Sequence, residues 1–154
     1  MRTATQAKGF TLIEILLVVG ILVLLFAIGL FMSMDVYRSY SRRSERDTVV
    51  AILQRARSRA MANINQSVWG VCMQGDGYRI FKGTTYSADG VTETIEGNPS
   101  VIITDTSATQ RFACADGGIV FAQLSGDTTD QMITVVQAGI ASTISTNVLG
   151  RIDW

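Results

Sequence analysis

The chain opens MRTATQAKGFTLIEILLVVGILVLLF (residues 1–26), and Lys8-Gly9-Phe10-Thr11-Leu12-Ile13-Glu14 decides how the rest is read. From Ile15 to Met32 every residue is apolar or glycine, and Ser33 and Met34 follow before Asp35. A helix that crosses a bilayer core needs roughly 20 such residues. The anomaly is Glu14, a carboxylate just inside the run, where a charge costs about 2.5–3.5 kcal/mol on insertion scales. A secretory signal peptide has an apolar region of about 7–15 residues ending at a small-x-small cleavage site. Here only Ala27-Ile28-Gly29 imitates such a site, and the apolar run continues past it. A plain single-span anchor accounts for the length but leaves Glu14 without a reason.

The net charge is zero, but the balance hides a polarity. Arg2 and Lys8 precede the apolar run. Arg38, Arg42, Arg43, Arg46, Arg55, Arg57 and Arg59 follow it, against Asp35, Glu45 and Asp47. Beyond residue 63, Arg79, Lys82, Arg111 and Arg151 face nine acids. An acidic C-terminal part argues against nucleic acid as the default partner. Histidine is absent, which removes the commonest general base and neutral metal ligand. Two cysteines, Cys72 and Cys114, match no zinc or redox spacing. Outside the cytoplasm they are a candidate disulfide; two buried free thiols are the alternative.

The helix continues past the apolar run to about Asn63. Val49/Val50, Leu53, Ala56, Ala60 and Ile64 recur every three to four residues and draw one apolar face. The arginines, with Glu45 and Asp47 among them, have the mixed-sign pattern of a solvated helix. A basic cluster next to a membrane also suits anionic head groups, or acidic faces of neighbouring subunits. Asn63-Ile64-Asn65 is a stop signal. Phe10 to Asn63 as one helix measures roughly 80 Å at 1.5 Å per residue.

After Gln66 the pattern becomes short β-rich pieces separated by glycine and aspartate. Ser67–Met73 and Tyr78–Lys82 flank Gln74-Gly75-Asp76-Gly77 as a hairpin, and Ala88-Asp89-Gly90 is a further turn. Val101–Thr104, Arg111–Cys114 and Ile119–Ala122 are expected strands. Gln131–Gln137 and Ala141–Val148 surround Ala138-Gly139-Ile140 as a C-terminal hairpin. The fold class is α+β: a long N-terminal helix, membrane-spanning in its first half, packed on an antiparallel β-sheet head. The apolar helix face is expected to cover one side of the sheet. The expected organisation is 1–9 leader, 10–34 spanning helix, 35–64 amphipathic continuation and 65–154 head.

Lys8 to Glu14 strongly resembles the type IV prepilin signature, in which a short basic leader ends in glycine before Phe-Thr-Leu-Ile-Glu. The resemblance implies cleavage between Gly9 and Phe10 by a prepilin peptidase at the cytoplasmic face, and N-methylation of Phe10. It also implies an assembly charge pair, in which the Glu14 carboxylate meets the new α-amine of Phe10 on a neighbouring subunit. The implied localisation is a single-pass bacterial inner-membrane protein, leader inside and head outside, which later enters a filament. The arginines after Tyr37 run against the rule that positive residues stay on the cytoplasmic side.

Leu53-Gln54-Arg55-Ala56-Arg57-Ser58-Arg59-Ala60-Met61 followed by Val68 is similar to the L-x-x-A-R-S-x-A stretch of the GspH/FimT group of minor pilins and pseudopilins. Gly118-Ile119-Val120-Phe121 and Leu149-Gly150-Arg151-Ile152 are similar to that group's later strands. Major pilins differ in their helix-kinking proline and a disulfide near the C-terminus. The major pseudopilin has a calcium loop, for which Asp127-Thr128-Thr129-Asp130 is a poor substitute and reads as a polar turn. The tip pseudopilin lacks the membrane glutamate.

The implied function is a structural subunit of a type II secretion pseudopilus or a type IV pilus. Its partners are the prepilin peptidase, other pilin subunits and the membrane. The alternative is a DNA-binding minor pilin of a DNA-uptake pilus, since some FimT-like proteins bind DNA through a C-terminal Gly-Arg-x-Arg element. Here Gly150-Arg151-Ile152-Asp153-Trp154 places an acid at the second basic position, leaving Arg151 as the one candidate DNA contact; Trp154 is expected to pack on the sheet. No phosphate loop or nucleophile motif is present. Asp76, Asp89 and Asp116 adjoin glycine and read as turn residues. The expectation is therefore no enzyme, no cofactor, no metal and no small-molecule substrate.

Overall fold

Helix α1 runs Leu12–Met61, and local chemistry sets both of its ends. At the start, the Glu14 N–H donates to the Thr11 carbonyl at 3.1 Å and to Thr11 Oγ1 at 3.3 Å. Thr11-x-x-Glu14 thus has the order of a capping box. Glu14 lies in the first turn, where a carboxylate complements the helix dipole. At the other end Asn63 adopts a left-handed conformation (φ 55°, ψ 33°), which asparagine tolerates better than most residues. The computed structural model describes residues 9–105 and 112–154. The leader residues Arg2 and Lys8, and Arg111 in an expected strand, lie outside the described residues.

The chain divides into two units, one ending at Tyr37 and the other Arg38–Trp154. In the first, Leu12–Gly29 has a mean hydropathy of 3.0 and is long and apolar enough to cross a membrane. None of it is buried.

The second unit is α+β, with the rest of α1 against two antiparallel sheets. One sheet has the order β3-β2-β1-β5, formed by β1 Trp69–Gln74, β2 Gly77–Lys82, β3 Val91–Glu96 and β5 Ile119–Phe121. The other has the order β4-β6-β7-β8, from β4 Ile102–Asp105, β6 Gln131–Gln137, β7 Ile140–Thr146 and β8 Ile152–Asp153. Two-residue turns set the hairpin registers. Gln74 pairs with Gly77 across Gly75-Asp76, and Gly75 has φ 60°. Gln137 pairs with Ile140 across Ala138-Gly139, with φ 51° and 79°. Positive φ values at these places match the twist of the strands they join.

Val49, Ile52, Leu53, Ala56 and Ala60 of α1 are buried in one core with residues of both sheets: Trp69, Val71, Tyr78, Ile80, Ile119 and Phe121 from the first, Ile133, Val135, Ile144 and Ile152 from the second. The two-residue period of β1 sends Cys72 to the other face, where it forms a second cluster with Phe81 and Cys114 under Tyr86, Val91 and Val120. The first sheet is therefore covered on both sides at its centre.

Several expectations are corrected. The head holds two sheets rather than one. β3 was hidden because Glu93 takes an inward-facing place in Val-Thr-Glu-Thr-Ile-Glu, where Arg55 and Arg59 meet it. Among the described residues of the expected strand Arg111–Cys114, Ala113 alone makes a bridge, parallel to Met73. Phe112 on one side of it is buried in the main core, while Cys114 begins a 3-10 turn. The helix ends at Met61, so Ile64 falls outside the apolar face and stays 42% exposed.

Candidate functional site

The residues around the Gly9–Phe10 bond precede the helix and are exposed. Phe10, an aromatic with every reason to be covered, is 80% exposed. Nothing lies within 4 Å of the position a Cβ on Gly9 would take. Among the described residues, neither a positive φ nor a close contact thus requires glycine there. The structure brings Thr11 and Glu14 together through the cap, and it places Phe10 one residue before that cap.

In the head, Glu45 carries the densest polar geometry. It is 6% exposed. Its Oε1 accepts from the Tyr78 hydroxyl, and its Oε2 accepts from the Asn98 backbone N–H at 3.1 Å. The Asn98 side-chain amide donates to Ser41 Oγ at 2.7 Å. Burial, followed by the hydrogen bond and charge of Glu45, raises the Tyr78 phenol above its ordinary range. A cavity of about 230 Å³ adjoins this cluster, lined partly by Met73, Pro99 and Val101. Both carboxylate oxygens of Glu45 are engaged, so the cluster ties α1 to β2 and to the 97–100 loop. Sequence reading placed Glu45 on a solvated face. It lies four residues from Ser41 and from Val49, and Leu53 follows four residues later, which puts it on the buried stripe.

Cys72 and Cys114 are joined as a disulfide. It links β1 to the 3-10 turn Cys114–Asp116 on the outer face of the first sheet.

The basic helix is sorted by its partners. Arg46 pairs with Asp47 at 2.7 Å. Arg55 and Arg59 both bind Glu93, and Arg59 lies over the Trp69 ring at 5.1 Å. Arg57 donates to the Leu149 carbonyl at 3.1 Å, and Arg42 donates to the Ser142 hydroxyl. Arg42, Arg55, Arg57 and Arg59 thus clamp α1 to the head, while Arg38, Arg43 and Asp47 keep the expected exposed face. Such clamps join residues distant in sequence, so no local pattern announces them.

Arg151 is bound to Asp153 at 2.8 Å with 73% of its side chain exposed. Trp154 is 59% exposed, contrary to the expected packing on the sheet. Its neighbour Asp153 ends β8, the edge strand of the second sheet.

Comparison with known protein families, curated proteins and solved structures finds no match for this chain.

Proposed function

We propose that the chain is a structural subunit of the minor pilin or pseudopilin kind, stored in a membrane by its N-terminal helix and assembled into a type II secretion pseudopilus or type IV pilus. The observation that carries this reading is that Leu12–Gly29 leaves every residue unburied, while the head completes its core with residues from Val49 onward. An apolar surface of that extent requires lipid or other apolar helices around it. A filament core of bundled helices supplies the second as a membrane supplies the first.

The Gly9–Phe10 bond supports the processing step of the reading. It lies in exposed chain just before the cap, where a membrane peptidase can reach it. Among the described residues nothing packs against the place of a side chain at Gly9, which suits recognition by an external enzyme. Cleavage there leaves a positive amine on Phe10, four residues before Glu14. In hydrocarbon, opposite charges are weakly screened, so an incoming amine from a neighbour stabilises a carboxylate that lipid alone does not. Leader-inside orientation follows from the need for a cytoplasmic-face peptidase. The DNA-binding alternative rests on Arg151, whose guanidinium is already bound to Asp153.

The test is intact-mass and N-terminal analysis of the chain from membranes of a host with prepilin peptidase. The expected product begins at Phe10 and carries one extra methyl group on its amine. A chain that retains residues 1–9 in that host would overturn the reading.

A further inference from the structure

We infer that Arg38, Arg42 and Arg43 form a collar for the head groups of anionic phospholipids on the leaflet next to the head. This rests on the membrane reading of the apolar helix.

Arg55 and Arg59 have an acidic partner in the head, Glu93, Arg46 has Asp47 beside it on the helix, and Arg57 is held against Leu149. Arg38 and Arg43 are exposed and make no ion pair with a described residue. Arg42 meets only a hydroxyl, that of Ser142. Between Val36 and Ser44 the sequence holds no acid. The acid that follows, Glu45, is turned inward to Tyr78 and Asn98. Between Ile15 and Ser44 the sequence sets one acid, Asp35, against these three positive charges, so the segment keeps a net positive charge toward the outside.

Placement and spread favour lipid over a protein partner. In the sequence Arg38 comes four residues after Met34, the last apolar residue of the run. Arg38 to Arg43 covers about 7.5 Å of helix at 1.5 Å per residue. A head-group layer is about 5–7.5 Å thick on each side of the hydrocarbon. At about 100° per residue the three side chains fan over about 140° of the helix circumference. A fan suits a plane of phosphates around a helix, whereas an ion-pair contact with one neighbour needs a one-sided stripe. Tyr40, within the same turns, is 72% exposed, and tyrosine suits this depth because one end of the ring is apolar and the other wet. The collar also gives a reason for positive residues on the side where topology rules disfavour them.

The test uses the full chain in mild detergent, titrated with phosphatidylglycerol or phosphatidylcholine of equal chain length, with bound lipid counted by native mass spectrometry. Each arginine is worth roughly fivefold near an anionic surface. The wild-type chain is expected to retain phosphatidylglycerol at least about tenfold more tightly at low salt. Arg38→Gln/Arg43→Gln, which leaves Arg42 and its Ser142 contact in place, is expected to lose most of that preference. Equal retention of both lipids, or an unchanged preference in the variant, would overturn the collar. So would an arginine-dependent, salt-sensitive homo-oligomer without lipid preference, which would point instead to an acidic face of a second copy. Carbonate extraction of membranes separates the two readings: a chain that stays in the membrane without lipid preference defeats the collar alone, and a chain released by carbonate defeats both.

Discussion

The Arg57 guanidinium donates from Nη2 to the carbonyl oxygen of Leu149 across 3.1 Å, ninety-two residues away in the chain. Gly150, the next residue, has φ 71°, and a Cβ there would stand 1.9 Å from the Gly126 carbonyl oxygen and 2.9 Å from Arg57 Nε. The two stretches that carry the finer resemblance, around Ala56-Arg57-Ser58 and around Leu149-Gly150-Arg151, therefore meet at one place. There two loops cross over the last turns of α1.

Gly150→Ala is expected to lower the unfolding free energy by more than about 2 kcal/mol, because strain at positive φ and overpacking act together. Arg57→Met keeps the stem but removes the bond to Leu149, and is expected to cost about 1–2 kcal/mol. Denaturant unfolding followed by fluorescence of the buried Trp69 measures both. A loss under about 0.5 kcal/mol for Gly150→Ala, the range of an ordinary surface change, would show that the crossing does not matter.

The Cys72–Cys114 bond closes a loop of 42 residues. By chain entropy such a loop stabilises the fold by about 4 kcal/mol. Cys72→Ala/Cys114→Ala, and the reduced wild-type chain, are expected to unfold at markedly lower denaturant concentration, with the double variant insensitive to reductant. Coincident unfolding of oxidised and reduced wild type would contradict the bond's role.

Tyr78 sets an alkaline limit. Its folded pKa lies above the unfolded value of about 10. Below pH 10 both states keep the proton and the contribution is complete. As pH rises above 10 the unfolded chain loses the proton first, so stability falls, by at most about 1.4 kcal/mol per pH unit from this group. Tyr78→Phe is expected to be less stable near neutrality, since Glu45 Oε1 loses its donor, yet to show a flatter decline above pH 10. Denaturation curves from pH 8.5 upward compare the slopes, and equal slopes in the two proteins would rule the mechanism out.

Glu14→Ala is expected to insert in the membrane and to be cleaved after Gly9, but to enter filaments several-fold less than wild type. The ratio of filament-bound to membrane-bound subunit measures this, with mature N-terminus analysis as the control. The cap bond at Glu14 comes from its backbone N–H, which both variants keep. Glu14→Gln retains the length of the side chain and removes the charge, so it is expected to assemble as poorly as Glu14→Ala. Normal assembly of either variant would remove the charge-pair argument.

The elements whose signals are local were legible in the sequence. The apolar run, the order Gly9-Phe10-Thr11-Leu12-Ile13-Glu14, the helix stop near Asn63 and the glycine turns of two hairpins can all be read within a few residues, because periodicity, turn chemistry and capping act over that range. The stripe Val49, Leu53, Ala56 and Ala60 was legible for the same reason. Long-range packing put the strands into two sheets and brought Cys72 to Cys114. It alone turned Glu45 into the core to receive Tyr78 and Asn98, and clamped Glu93 from Arg55 and Arg59. Each of these depends on which distant residue stands opposite, and a buried acid looks the same in sequence as a solvated one until its donors are placed. The same sorting left Arg38 and Arg43 as exposed arginines without an acidic partner among the described residues, which composition alone did not distinguish from the arginines that hold the head together.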